Sequence, residues 1–320
     1  MSSSSPIAAT PSPLEAYGLA ELAHWERAGV SLAVLGHPVA HSVSPPMHNA
    51  ALAEMQAQRP DLAGWSYFKF DVEPERLKPA LRWMHERGFR GVNLTVPHKV
   101  QVLPLLDEID DEARAMGAVN TLLARPEGGW RGHNTDGYGL AQTLRRDLNV
   151  ELKGAAVVLL GAGGAARGAA IQCLRDGCAA LWIGNRSLDK LDDFLVQLAP
   201  LDPDERVHGF DLARPPVDEW PADVVVVNAT SLGLKPGDPA PFDVGMFGSE
   251  TRVLDMIYRR EGATPLVAAA RARGLQAADG LGMLVWQGVR SLEIWTGATP
   301  PAQTMMDAAC RALGLPPRHA

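Results

Sequence analysis

The run GAAVVLLGAGGAARG, residues 154–168, constrains this 320-residue chain more than any other segment. Residues 155–160 are continuously apolar, the pattern of a strand covered on both faces. Gly161-x-Gly163-x-x-Ala166 follows at once and opens a helical pattern, so strand, tight turn and helix succeed one another without a linker. Each small residue has a physical use. Gly161 permits the turn, Gly163 lets backbone approach a pyrophosphate, and Ala166 lets helix and strand pack closely. Ala162, Gly164 and Ala165 complete a segment whose free N–H groups would face phosphate at the helix start. A purely structural turn explains the same residues, so the next strand has to discriminate.

That strand ends in Asn185-Arg186-Ser187, and Lys190 follows. A site for the unphosphorylated dinucleotide usually places Asp or Glu there, about 20 residues on, to accept bonds from the ribose 2′-OH. No carboxylate occupies this tip. Two cations and a hydroxyl lie where a 2′-phosphate would sit, which favours NADP over NAD; the alternative is that Arg186 and Lys190 are solvated charges at a helix start.

Short apolar runs alternate with amphipathic segments along the rest of the chain, the pattern of an α/β protein with largely parallel sheets. Strands are expected at 32–35, 67–72, 91–96, 119–124, 157–160, 180–184, 207–211, 224–228 and 253–255. Helices are expected at 74–87, which closes on Gly88, and at 281–295 and 301–313, the last two returning to the first domain. The expected division is a disordered Ser/Pro-rich tail and lead-in at 1–28, a substrate domain at 29–135 plus 280–320, and a dinucleotide-binding domain at 136–279, with the cleft between the two domains.

Composition excludes several function classes. Lys and Arg number 30 against 37 Asp and Glu, so the formal charge of −7 gives no overall field for nucleic acid. The longest stretch without Asp, Glu, Lys or Arg, residues 28–53, is broken by Pro38, Pro45 and Pro46, and so reads as no membrane span. The N-terminus carries no basic residue and no apolar core, unlike a secretory signal. Cys173, Cys178 and Cys310 are too few and too scattered for a disulfide framework or zinc site, and read as buried thiols in a reducing cytoplasm.

Three clusters carry polar side chains at expected strand ends. In 36–45, Ser42 and Ser44 point the same way if the segment is extended, offering two hydroxyl donors to a small carboxylate; Ser44 before Pro45 also suits a helix cap. His37, His41 and His48 have no carboxylate or Cys to complete a metal set, so no metal is expected. In 93–99, a strand delivers Asn93 and Thr95 on one side, and Lys99 follows Pro97 at a helix start. A lysine there meets the unfavourable end of the helix dipole, a local cost that suggests either a chemical task or a plain surface lysine. In 133–137, Asp136 lies at the expected domain junction, as a functional carboxylate or as a helix cap.

Together these segments resemble the shikimate dehydrogenase family. The matches are SVSP (42–45), NLTVPHK (93–99), GAVNT (117–121), NTDG (134–137), GAGGAAR (161–167), NRS (185–187), NATSLG (228–233), DMIY (255–258) and ADGLGMLVWQG (278–288). They run in order over nearly the whole chain beyond the tail. The resemblance implies a Rossmann-type NADP domain beside an α/β substrate domain, and the reversible reduction of 3-dehydroshikimate to shikimate with NADPH in aromatic amino-acid biosynthesis. It implies a cytoplasmic enzyme of small molecules, monomeric or homodimeric.

Carried over by motif, Ser42 and Ser44 would hold the substrate carboxylate, and Thr95, Asn120, Asp136 and Gln287 the ring hydroxyls, with Tyr258 near the substrate. Lys99 and Asp136 would be the catalytic pair. Gly161, Ala162, Gly163, Gly164, Ala165 and Ala166 would cradle the pyrophosphate. Asn185, Arg186, Ser187 and Lys190 would surround the adenosine phosphate, and Met256, Gly280 and Met283 the nicotinamide. Gly280, Met283 and Gln287 also recur at helical spacing, which independently puts a thioether and an amide on one helix face. The N-terminal extension of about 30 residues exceeds what the family fold needs, and His98 is a tolerated variant. A quinate/shikimate dehydrogenase using NAD(P) and a catalytically silent relative that binds NADP or shikimate-like ligands are the rival readings. Two serines at 42 and 44 and the absence of an acidic strand tip weigh against the first, and the presence of both Lys99 and Asp136 against the second.

Overall fold

Two sheets organise the chain in the computed structural model, which describes residues 11–320. Residues 1–10 of the expected disordered tail lie outside the described residues. The chain divides into two units, one formed by 11–110, 119–133 and 292–309, the other by 111–118, 134–291 and 310–320.

The first unit holds seven strands: β1 (Ala16–Tyr17), β2 (Ser31–Gly36), β3 (Ser66–Asp71), β4 (Phe89–Leu94), β5 (Glu108–Ile109), β6 (Thr121–Ala124) and β7 (Trp130–His133), in the order β1-β3-β2-β4-β6-β7-β5. Its helices are α1 (Leu19–Ala23), α2 (Ser44–Gln56), α3 (Leu77–Glu86) and α4 (His98–Gln101). All six residues of β2 are buried, as expected of a central parallel strand. Residues 74–76 form a separate 3-10 turn ahead of α3, and Gly88 ends the segment at φ +74°, a conformation glycine adopts without strain.

The sheet is largely parallel, as expected, through the pairs β1–β3, β3–β2, β2–β4 and β7–β5, with one departure: β6 pairs antiparallel with both β4 and β7. The cause is local: Gly128 and Gly129, both at positive φ, turn the chain within five residues, a link only antiparallel neighbours allow. The lead-in at 11–28 is also built into the domain. Tyr17 lies on β1, which pairs with β3, and Trp25 is 6% exposed with its ring against Phe68, Phe70 and Phe89 at 4.9–5.8 Å. Leu22 is fully buried as well. These apolar side chains outweigh the Ser/Pro bias that suggested disorder.

The second unit holds α5 (Asp111–Met116), α6 (Asp136–Leu148), β8 (Ala156–Leu160), α7 (Gly164–Arg175), β9 (Ala180–Asn185), α8 (Leu188–Leu198), β10 (Val207–Asp211), β11 (Val225–Asn228), β12 (Arg252–Asp255), α9 (Pro265–Ala272) and β13 (Gln276–Ala278). Its sheet is wholly parallel in the order β10-β9-β8-β11-β12-β13, the doubly wound arrangement whose order reverses beside the first strand. Helices α10 (Leu281–Thr296) and α11 (Ala302–Leu313) contribute residues to both units. The boundaries therefore differ from the expected ones at 136 and 280. Helix α5 packs on α7, the first turns of α10 lie against α6, and Arg318 reaches Asp279, all of which add to the second unit.

Among the described residues, no helix is long and apolar enough to cross a membrane. Replacing Trp25 with Ala is expected to destabilise the protein by about 3–5 kcal/mol, the usual cost of truncating a buried aromatic. Urea unfolding of the variant checks this; a shift under about 0.5 kcal/mol, typical of an exposed site, would return the lead-in to a dispensable role.

Candidate active site

In the first unit the predicted substrate residues collect at the carboxyl ends of β2 and β4. The loop at 37–43 is fastened to β3 there. Lys69 Nζ donates to the Ala40 carbonyl at 2.9 Å, and Asp71 accepts from Val39 N–H at 3.1 Å and lies 2.6 Å from His37 Nδ1. This places Ser42 just after a turn, its N–H on the Val39 carbonyl at 3.0 Å, and Ser44 as the first residue of α2, so the two are not on an extended strand. Val43 holds the cap position without a side-chain bond, which removes the capping reading of Ser44. Instead Ser42 Oγ accepts from Ser44 N–H at 3.3 Å.

Beneath Ser44 runs a buried polar chain. The Tyr67 hydroxyl bonds the Ser44 side chain and donates to Asn93 Oδ1 at 2.8 Å. Asn93 Nδ2 donates to the Asn120 carbonyl at 3.1 Å and to Thr121 Oγ1 at 3.0 Å, and Thr121 donates to Asn120 Oδ1 at 3.0 Å. Ser44 and Asn120 are thus tied to one internal scaffold. The Tyr67 ring stacks on buried His48 at 4.1 Å, and burial pushes its phenol well above the usual range, with the Ser44 bond opposing. Thr95 follows β4 with its methyl against Gly36, where a Cβ would stand only 2.4 Å from it. Lys99 lies on α4, whose backbone is pinned: its carbonyl accepts from Val119 N–H at 2.8 Å, and buried His98 bonds the Val72 carbonyl at 2.8 Å.

In the second unit, Gly161 takes φ +114°, a region that L side chains rarely adopt, and a Cβ there would stand 3.1 Å from Thr230 and 3.2 Å from the Ala229 carbonyl. Gly163 caps α7 with no side chain, and a Cβ on Gly163 or Gly164 would meet nothing within 4 Å. Helix start and open backbone border a cavity of about 280 Å³ lined by Ala162, Gly163, Gly164, Arg167, Lys190 and Gln197, among others. Ala166 is fully buried between helix and sheet, and Ala165 is exposed. These features fit a dinucleotide pyrophosphate. At the β9 tip, Asn185 Nδ2 holds the Ser187 carbonyl at 2.9 Å, and Arg186 and Lys190 are exposed; Arg186 does not line the cavity.

A second group in this unit surrounds the start of α10. Gly280 N–H donates to the Ile257 carbonyl at 3.0 Å, and a Cβ on Gly280 would lie 2.1 Å from the Met256 carbonyl. Met256 is therefore adjacent to Gly280, Met283 lies three residues on in α10, and Tyr258 follows Met256 in the same loop with its phenol raised by burial. Asp136 is the first residue of α6, with Thr135 at the cap position, and its N–H bonds Asn134 Oδ1 at 2.9 Å. The capping reading of Asp136 is thereby removed. Gln287 sits on α10 where that helix crosses α6 at Gly139. Lys99 belongs to the first unit and Asp136 to the second.

Reasoning from sequence did not single out Tyr67, Thr121, Arg167, Thr230 or Asp255. Asn228 and Asp255, both fully buried at neighbouring strand ends, bond each other at 2.8 Å, and Asn228 also accepts from Thr230. Burial raises the Asp255 carboxyl, against bonds from Thr264, Ile257 and Asn228. The NATSLG and DMIY motifs contained these residues; only their paired burial distinguishes them. Among the described residues no group of three or more His, Cys, Asp or Glu is placed to hold a metal ion.

A glycine-turn, doubly wound unit in one chain with an α/β unit that gathers hydroxyls, amides and a lysine defines a dinucleotide-dependent oxidoreductase. The family profile "Shikimate dehydrogenase substrate binding domain" matches residues 34–122, and "Shikimate 5'-dehydrogenase C-terminal domain" matches 280–310. The NADP(+) shikimate dehydrogenase of Rubrobacter xylanophilus is 40% identical over 275 residues, covering 86% of this chain and 93% of that protein. A shikimate dehydrogenase crystallised with NADP+ superposes with a TM-score of 0.80 at 32% identity, over 89% of this chain and 96% of its own. The Thermus thermophilus enzyme, crystallised with NADP(H) and shikimate, gives 0.75 at 36% identity, over 88% and 99%. The chain belongs to the shikimate dehydrogenase family.

Tyr67→Phe keeps the ring against His48 but deprives Asn93 and Ser44 of a buried partner. It is expected to lower stability by about 1–3 kcal/mol, the cost of stranding a buried polar group. Urea midpoints read this directly, and an unchanged midpoint would mean that the chain of bonds contributes nothing to the fold.

Proposed function

We propose that this chain catalyses the NADPH-dependent, reversible reduction of 3-dehydroshikimate to shikimate, a step of aromatic amino-acid biosynthesis. One observation carries the reading: the family relationship spans 86% of the chain. Bound NADPH supplies the hydride that reaches the ketone carbon. Lys99 donates a proton to the ketone oxygen as charge develops there, and recovers it in the reverse direction. Asp136 is its catalytic partner and a ligand of a ring hydroxyl. Ser42 and Ser44 donate to the substrate carboxylate; Thr95, Asn120 and Gln287 hold the remaining oxygens, and Tyr258 borders them.

On the cofactor side, Gly161, Ala162, Gly163, Gly164, Ala165 and Ala166 present backbone to the pyrophosphate. Asn185, Arg186, Ser187 and Lys190 hold the adenosine phosphate, and Met256, Gly280 and Met283 border the nicotinamide. The chain acts in the cytoplasm on small molecules, as a monomer or homodimer, and not on nucleic acid, in keeping with its formal charge of −7.

Steady-state kinetics with shikimate and NADP, followed through absorbance of the reduced cofactor, test the activity. Lys99→Ala is expected to lower turnover by about 10²–10⁴, the size of a general acid–base contribution. A loss of less than fivefold in a folded variant would take Lys99 out of this role. Arg186→Ala is expected to raise the KM for NADPH about 10- to 100-fold, the worth of one bond to a charged group, and to leave that for NADH nearly unchanged. Equal effects on both cofactors would refute a phosphate contact.

A further inference from the structure

Helices α6 and α10 run antiparallel along one another within the second unit. Thr135 Oγ1 lies 3.2 Å from Ser291 Oγ at one end. Midway, Gly139 lets the helices approach so closely that a Cβ would stand 2.7 Å from the Met283 carbonyl and 3.2 Å from Gln287 Cβ. At the other end a Cβ on Gly282 would stand 2.7 Å from Asp147 Oδ2. What lies there is Asp279, 3% exposed, whose Oδ1 accepts from Leu281 N–H at 3.1 Å in the first turn of α10. The same oxygen accepts from Arg318 Nη1 at 2.7 Å, brought back by the segment after α11.

We infer that Arg318 is a positioning residue, clamping Asp279 so that the start of α10 keeps its register on α6. The inference rests on the roles proposed above for Met283 and Gln287 on α10 and for Asp136 on α6. Its physical basis is that a buried carboxylate needs a counter-charge, and Arg318 supplies one. Asp147 makes the need greater. Burial, then the neighbouring Asp279, raise its carboxyl to about 6, and Arg318 opposes them. Asp255 at the end of β12 and the Cys310 thiol on α11 also act on this cluster.

The sign of the pH dependence follows. A carboxyl raised in the folded state favours folding while it is protonated, and that contribution fades as pH climbs from the unfolded value towards about 6. Without Arg318, two carboxylates face each other uncompensated, so the loss extends through neutral pH.

Hydrogen exchange and steady-state kinetics on four full-length proteins test the clamp: wild type, Arg318→Ala, Arg318→Lys, and Arg318→Ala combined with Asp147→Asn. Arg318→Ala is expected to speed exchange at the amides of residues 281–287 about tenfold or more, as loss of a charge-assisted bond should, with the rest of the fold little changed. Its kcat should fall relative to wild type as pH rises from 6 to 9, since the fault lies in placement of site residues. Arg318→Lys should retain most of both properties, and the double variant should recover them by removing one of the facing charges. Wild-type exchange and an unchanged pH profile in Arg318→Ala would overturn the inference. So would acceleration spread evenly over the chain, or failure of both rescues. Should wild type turn over no 3-dehydroshikimate, the proposed function fails, and the exchange comparison still decides the clamp.

Discussion

A side-chain amide at the carboxyl end of a strand, once water is excluded, must find its partners within the protein. Both units are organised around that requirement. In the first, Asn93 at the end of β4 is satisfied by Tyr67, Asn120 and Thr121, and through them Ser44 and Asn120 acquire fixed positions. In the second, Asn228 at the end of β11 is satisfied by Asp255 and Thr230, and Thr230 in turn lies against the Gly161 turn. Rigid polar chains of this kind place functional groups without relying on exposed loops to order themselves.

The two units divide the chemistry according to what each fold presents. The doubly wound sheet offers backbone: a turn at positive φ, a helix start with no side-chain cap, and glycines with open space in front of them. That suits a phosphate group, which recognises N–H donors and positive charge more than shape. The mixed sheet offers side chains, with hydroxyls, amides and a lysine on short segments after strands. That suits a small polyhydroxylated acid, whose oxygens need donors and acceptors at particular angles.

Much of this was legible in the sequence. Strands such as residues 32–35 and 207–211, the glycine turn and the basic tip at Arg186 all carry local signals, because apolar runs and glycine spacing act through neighbouring residues. The N-terminal lead-in misled because Ser and Pro crowd residues 1–13, whereas residues 14–28 contain neither and Trp25 acquires its burial from β3 and β4, far away in the chain. Strand β6 falls within the strand expected at 119–124, but β7 was missed because its four residues give too little alternation to recognise, although Gly128 and Gly129 mark the turn before it. Ser44 and Asp136 each had a plausible capping role by position. Helix boundaries shifted by one residue removed both, and such a shift lies below what spacing can resolve.

The amino-acid sequence by itself determined the alternating α/β plan, the dinucleotide turn and the family, since each depends on residues close together in the chain. Tertiary structure alone decided that Tyr67 and Asn93 join Ser44 to Asn120, that α6 and α10 meet through glycines, and that Arg318 returns to Asp279. Those are pairings between distant segments, set by which groups must be satisfied once the core excludes water, and no local pattern encodes them.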